Sequence, residues 1–479
     1  MSDTYSHGAY AIFLPSGITI TAKSGTLPVY FGAAPTHQLM ESYSKTGEPL
    51  LLESYAQALE RTGYSDNWVD FSLGEALHVH FRSGAPIGPI VVVNVFDPAI
   101  HRKETPTTAE VLFVGGRGQL LDRLAILSTI AMEGKTLGTD FTAAYAEGGA
   151  AAILTDPTGT LSGKVQVTYT QADPSAVTEE EVTAAIQKTV GQVYELSGKI
   201  PTLLAAPGWS EGRAVNDALK GAAAQISGHW NAFVVDDLDT EETQTIDAAI
   251  EKKGAESRVS SAETPCWPLG TDGIRYYHLS TLSIAKMMEV DAANGDIPFE
   301  TCSNKPIGIT GLVVKNGEGG YRPIRFDQTE ANRLNAAGIR TAIFWGGKYR
   351  LWGPHTGAYN YDAGNTPEEI FDCSVRMAQY LGNSFQLAYG DEVDKPMHRS
   401  RIDTILNAVQ EGLDRLVNLG ALLYGKISFQ PDSNPDSDMM SGEFVFDTGY
   451  TTTPPAKAII NRYRYTSQGL EALTGGDGI

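Results

Sequence analysis

Residues 208–212 read Gly-Trp-Ser-Glu-Gly and match G-x-S-x-G, the pattern of a hydrolase nucleophile elbow, between a candidate strand and a candidate helix. In that reading Ser210 attacks, and an acid and a histidine follow later in the chain. Asp236 and His355 stand in the right order, but nothing in their spacing ties them to Ser210. The competing reading makes Ser210 a helix cap, with Pro207 marking an ordinary turn. His78 and His80 would share one face of a strand over 77–81. Two imidazoles fall short of the three or four protein ligands that zinc takes, and no nearby Cys completes the set. Asp236, Asp237 and Asp239 end a hydrophobic strand, where carboxylates hold Mg²⁺ or cap the next helix. Val114-Gly115-Gly116-Arg117-Gly118 lacks the last glycine of a dinucleotide fingerprint and reads as a tight turn. Cys266, Cys302 and Cys373 have no His within a few residues and read as small buried hydrophobes. The sequence therefore assigns no catalytic residue, no cofactor-binding residue and no metal ligand, and a non-enzymatic chain with no cofactor is expected.

The chain that would have to position such groups has 479 residues, enough for about three domains. Its 36 Lys and Arg against 57 Asp and Glu leave a net charge of −21. There is no basic excess to neutralise phosphates, so direct nucleic-acid binding is not expected. No apolar run reaches ~18 residues, so stable membrane insertion is not expected either. The first residues, MSDTYSHGAYAIFLPSG, lack a basic region ahead of their short apolar run and make a poor signal peptide. Three scattered cysteines do not form a disulfide framework.

Patterning predicts a mixed α/β and α+β chain of several domains. Tyr10, Ile12, Leu14, Ile18 and Ile20 sit in two alternating pieces around Gly17, either a strand and turn of the chain's own sheet or an arm for a neighbour's. LPVYFG (27–32) and GPIVVVNVF (88–96) read as buried strands, and 49–60 as a helix. Residues 97–175 change to Gly-punctuated strands with one candidate helix at 120–132. Thr178 caps a helix opened by Glu179–Glu181. A strand running into a Pro-Gly turn at 201–210 and a strand at 231–237 alternate with helices at 211–226 and 240–253. GIRTAIFWGGKYRLWG (338–353) reads as two strands around a Gly-Gly turn, followed by helices at 367–386 and 400–420. The tail is extended again, at 441–450 and 456–467. There Ile459, Tyr463 and Tyr465 share one face, and Ile460, Arg462 and Arg464 the other. Extended segments at both ends, with no convincing site between them, point to assembly. Lys457, Arg462 and Arg464 are expected to dock near acidic runs of a neighbour, at 179–181 and 236–242.

Five blocks resemble the contractile tail sheath proteins of phages, tailocins and related injection machines. They are TLPVYFGAAP (26–35); LFVGGRGQLLD with LGTDFTAAYAEGG and GKVQVTYTQAD (112–173); PTLLAAPGWSEGRAVNDAL (201–219); LNAAGIRTAIFWGGKYRLWGPHT (334–356); and the helix 400–420 with GALLYG and the terminal strands. In the fourth, Gly338-Ile339 and Trp352-Gly353 with Thr356 resemble the family's late sheet and turn. Residues 262–308 depart from the proline-rich passage many relatives carry. The resemblance favours the turn or cap reading of Ser210. It implies an N-terminal arm (1–25), a first part of the sheath core or middle domain (26–96), an inserted β-rich outer domain (97–175), an α/β middle domain (176–330), a tube-facing sheath core (331–450) and a C-terminal arm (451–479). It implies hexameric rings of this chain stacked helically around an inner tail tube, with baseplate and tail terminator proteins as further partners. Contraction would drive the tube through a target envelope. The expected place is a virion tail or tailocin particle, assembled in the host bacterial cytoplasm. The alternatives are another tail component, tube or baseplate, or an α/β enzyme with a β-rich accessory domain.

Overall fold

The computed structural model describes residues 22–23, 25–40, 46–317 and 319–473. Tyr10, Ile12, Leu14, Ile18 and Ile20 lie outside these residues.

Consecutive β-branched residues need cover on both faces, and the central sheet provides it. Its strands run in the order Glu263–Cys266, Phe233–Asp237, Leu203–Ala205, Pro28–Gly32, Ile90–Asn94, Pro49–Leu52. The first five are parallel and the last is antiparallel. Side chains alternate between faces. Tyr30, Val92, Phe233 and Val235 therefore join a core with the helices Leu73–Phe81 and Leu279–Ala293. Val29, Phe31, Val91 and Val234 join another with the helices Glu179–Thr189 and Arg213–Ala224. Segments on either side of residues 97–175 thus build one doubly covered sheet. Thr178 caps its helix in a full capping box with Glu181.

Two sequence expectations fail here because pairing across the fold overrides local propensity. Residues 49–60 are not one helix. Leu50–Leu52 pair antiparallel with Ile90–Val92, and the helix Tyr55–Thr62 starts only after Ser54, whose side chain accepts Gln57 N. Residues 120–132 hold no α-helix. Ile126 N donates to Thr170 O and Ala172 N to Leu124 O, so this stretch runs beside 170–172 and keeps only a short 3-10 turn at Leu127–Thr129.

That stretch belongs to a six-stranded antiparallel sheet between Thr107 and Tyr169, curled into a half-barrel. Val111, Phe113, Leu120, Phe141, Leu154 and Val167 give it a core of its own. Gly115 and Gly116 make the turn between its first two strands, both at positive φ.

Beyond the central sheet lies a four-stranded antiparallel sheet that includes Gly311–Lys315 and Tyr321–Ile324, and then the hairpin Thr341–Trp345 with Lys348–Trp352. Gly346 and Gly347 both have positive φ, as a two-residue turn between twisted strands requires. Gly338 is explained by crowding. A Cβ there would lie 2.5 Å from Thr356 O and 2.7 Å from Tyr359 O, at φ +70°. Thr356 holds that loop by donating to Glu369 O. The helices Asp372–Tyr389 and Arg399–Leu419 follow, then the strand Leu422–Ser428. The expected strand over 441–450 is only half right. A short helix ends at Ser441, and the strand Asp447–Thr452 starts where its residues meet Leu422–Ser428.

Candidate assembly interface

The residues with chemical potential turn out to be interior scaffolding. Ser210 is fully buried, and its Oγ accepts Asp237 N at 3.3 Å. Gly212, not Ser210, stands at the N-cap of the following helix. His355 stacks on Tyr359, 3.6 Å between centroids, and on Phe371, while its Nδ1 faces Ile370 O. Asp236 pairs with buried Arg258, and Asp237 accepts Ser280 Oγ. Thr245, rather than an aspartate, caps the helix Ile246–Ala255. His278 is clamped between Glu75, 2.6 Å from Nδ1, and Glu211, 3.5 Å from Nε2. Burial alone would raise the Glu211 carboxyl, but His278 and Lys315 outweigh it and hold it at about 2. These groups neutralise one another inside the protein. Among the described residues no group of three or more His, Cys, Asp or Glu could hold a metal ion. All three cysteines are buried and free.

His78 and His80 do not share a face, because Leu73–Phe81 is a helix and residues two apart point to opposite sides. His80 faces inward: Nδ1 donates to Ile87 O at 3.0 Å, and Nε2 accepts from Tyr30 Oη at 2.7 Å. Burial lowers its pKa to about 4, only partly opposed by the Ile87 carbonyl. In the unfolded chain a histidine titrates near ~6.5, so unfolded chain takes up the proton first as pH falls. This contribution is complete above ~6.5 and is lost as pH falls toward 4, about 2 kcal/mol of it by pH 5. Urea denaturation at pH 7.5 and pH 5 should show a smaller acid loss in His80→Gln than in the parent. An equal loss in both would refute the assignment.

The features that reach solvent lie at the C-terminus. Asp447–Thr452 and Leu422–Ser428 form a two-stranded antiparallel sheet. One face rests on the helix Arg399–Leu419, so closely that a Cβ on Gly425 would sit 3.0 Å from Leu413 Cβ. Leu423 (61%), Tyr424 (52%) and Tyr450 (39%) of this sheet are nevertheless exposed. Neither outer edge has a strand partner among the described residues. Such edges invite another chain. A groove lined by Ile370, Phe371, Leu423, Tyr450 and Pro454 runs alongside.

The chain leaves this sheet under restraint. Thr453 N donates to Ala421 O, and Lys457 Nζ reaches Tyr359 Oη at 3.2 Å, 5.4 Å from the ring centroid. Residues 458–466 then belong to no helix or strand. Ile459, Ile460, Tyr463 and Tyr465 are 89, 79, 91 and 95% exposed, with Arg462 and Arg464 exposed between them. Large apolar side chains in a row on solvent mark a surface that a partner covers. At the other end, Ala22–Lys23 pairs parallel with Ile87–Gly88 of the same chain. The expected acidic docking surface needs correction. Asp236 and Asp237 are buried and salt-bridged or hydrogen-bonded inside, leaving Glu179, Glu180, Glu241 and Glu242 as its exposed members.

Sequence reasoning missed the Tyr359–Lys457 clasp, since nothing in spacing links residues 98 apart. It also did not read Leu422–Ser428 as a strand, since Leu422 and Leu423 are alike in sequence and only the fold makes one buried and the other exposed.

The described residues thus combine a doubly covered α/β core, a curled β insertion, a two-stranded sheet with unpaired outer edges and an exposed tail. No family model matches the chain. It is 26% identical over 440 residues to the tail sheath protein of Burkholderia phage BcepMu, covering 85% of this chain and 87% of that one. In fold it is similar to a chain of the anti-feeding prophage baseplate, at TM-score 0.59 and 14% identity, covering 97% and 99% of the two chains. It is likewise similar to a chain of the contracted PVC sheath complex, an extracellular contractile injection system, at TM-score 0.56 and 13% identity, covering 98% and 100%. Over most of its length the chain is thus similar to contractile tail sheath proteins. These likenesses support a structural tail-sheath subunit of a phage or tailocin context that assembles into sheath-like oligomers.

Proposed function

We propose that this subunit forms hexameric rings, stacked helically around an inner tail tube, and that contraction of the stack drives the tube through a target cell envelope. Residues 331–450 face the tube, 97–175 lie on the outside, and 26–96 with 176–330 form the body between. The terminal segments 1–25 and 451–479 serve as arms completing sheets in neighbouring subunits. The inner tube, baseplate and tail terminator proteins are the remaining partners, and assembly takes place in the host bacterial cytoplasm.

The observation that carries this reading is the exposed 459–465 segment, which follows a two-stranded sheet whose outer edges have no strand partner among the described residues. An extended segment joins such an edge through main-chain hydrogen bonds, and alternate side chains set its register. A contact made head to tail that does not close on itself propagates as a helix. The work of contraction is then the packing difference between two lattice states, repeated over many subunits, with no nucleotide consumed. Electron microscopy of the purified chain tests this. Hollow, ridged cylinders are expected, and monomers at every concentration and salt would overturn it.

A further inference from the structure

The helix Asp372–Tyr389 is tied near its start to both ends of the chain. On one side Arg376 forks onto buried Asp291, with Nη1 3.3 Å from Oδ1 and Nη2 on Oδ2. The same Asp291 Oδ2 accepts Thr26 Oγ1 at 2.6 Å. One residue earlier Gly25 N donates to Asp296 Oδ1 at 2.6 Å. A Cβ at Gly25 would lie 2.7 Å from the Asp296 carboxyl carbon, so the chain there is pressed onto the end of the helix Leu279–Ala293. On the other side Ser374 Oγ accepts Thr452 Oγ1 at 3.0 Å, and the next residue, Thr453, is held by Ala421 O. Side chains two residues apart on an α-helix point about 200° apart. The root of the N-terminal segment and the root of the C-terminal segment therefore attach to opposite sides of the same helical turn.

The chemistry of the attachment suits alignment more than stability. A buried ion pair contributes little net stability over a well-packed apolar pair. A forked guanidinium–carboxylate contact does fix orientation. Asp291 also shares one oxygen between Arg376 and Thr26, so the helix and the N-terminal root cannot shift independently without leaving a buried carboxylate short of a partner.

We infer that the start of the 372–389 helix is a crossbar coupling the two terminal arms within one subunit, with Arg376 the positioning residue for the N-terminal root, through Asp291, and Ser374 for the C-terminal root. The inference rests on the sheath reading for its purpose, since it is neighbouring subunits that would pull on the arms. Displacement entering through one arm then reaches the other through Thr26, Asp291, Arg376, Ser374 and Thr452 instead of dissipating in the body. Successive rings would move as one.

Hydrogen exchange read by mass spectrometry on the full-length monomer tests the coupling without needing a sheath. Thr452→Val removes the Ser374 contact and keeps the side-chain shape. It should speed exchange in the peptide spanning 25–28 by about five-fold or more, the low end of ordinary coupling between sites. Thr26→Val should speed exchange at 450–454 by the same factor, as reciprocity requires. Peptides of the 107–169 sheet should not change. Arg376→Lys, which keeps a cation on Asp291, should preserve the coupling. The pair Arg376→Met with Asp291→Asn should abolish it, and if that pair does not fold the two threonine variants decide the matter. Effects confined to the substituted root would overturn the inference. A parent protein that never forms cylinders would overturn the sheath reading and leave the exchange result standing.

Discussion

Deleting residues 455–479 is expected to abolish ordered sheaths and leave a soluble, folded monomer. The monomer survives because the deleted stretch gives little to its own chain. Ile459, Ile460, Tyr463 and Tyr465 bury almost nothing, and the clasp of Lys457 on Tyr359 is a partly exposed cation–π contact of about 0.5–1 kcal/mol. The strand Asp447–Thr452, the helix Arg399–Leu419 and the core around Met377, Leu413 and Ile427 all precede the cut. Assembly fails because the same residues have the most to gain from a neighbour: four large apolar side chains leave water, and a run of backbone groups acquires a ladder. Circular dichroism and a thermal melt should match the parent, while negative-stain microscopy shows no cylinders. Long, regular cylinders from the truncated chain would show that the arm is dispensable. A truncated chain that aggregates would show that 455–479 shields the sheet edge of its own subunit instead of reaching another.

How much of this was legible beforehand depended on where each element draws its stability. LPVYFG and IVVVN could be read as buried strands because a run of apolar, β-branched residues fits only a sheet covered on both faces. The Thr178 capping box and the Gly346-Gly347 turn were legible because their chemistry is local. Leu50–Leu52 were not, since their strand exists only by pairing with Ile90–Val92, and 120–132 lost its helix to 170–172 for the same reason. His78 and His80 were placed on a strand because a histidine, a valine and a histidine alternate; the period of the whole segment 73–81 is helical. At the assembly surface the alternation in 459–465 was visible in the sequence. What it should pair with was not, because an open edge is a property of the sheet and not of any residue in it.

Arg340→Met is expected to destabilise the protein by about 3–5 kcal/mol, more than any surface change, because it strands a buried carboxylate. Arg340 lies just ahead of the strand Thr341–Trp345 and is fully buried. Its Nη2 pairs with Asp372 at the start of the 372–389 helix, and its Nε donates to Gly353 O at 3.0 Å. Trp267 N donates to Arg340 O, joining this strand to the segment that leaves the central sheet. Without the guanidinium, Asp372 keeps hydrogen bonds from Thr301 Oγ1 at 3.1 Å and the backbone N of Cys373, and its nearby cation is Arg376, which is already committed to Asp291. Gly353 O loses a donor as well. Methionine matches the length of the arginine stem, so lost volume is a small part of the effect. The companion change Asp372→Asn identifies the cause. With Arg340→Met it removes the stranded charge and should recover a large share of the loss, so the two changes together cost less than the sum of each alone. Equilibrium denaturation of the parent, both single variants and the double variant gives the four free energies needed. Additive losses would mean that Arg340 stabilises through packing and its bond to Gly353, and that its charge does not govern Asp372.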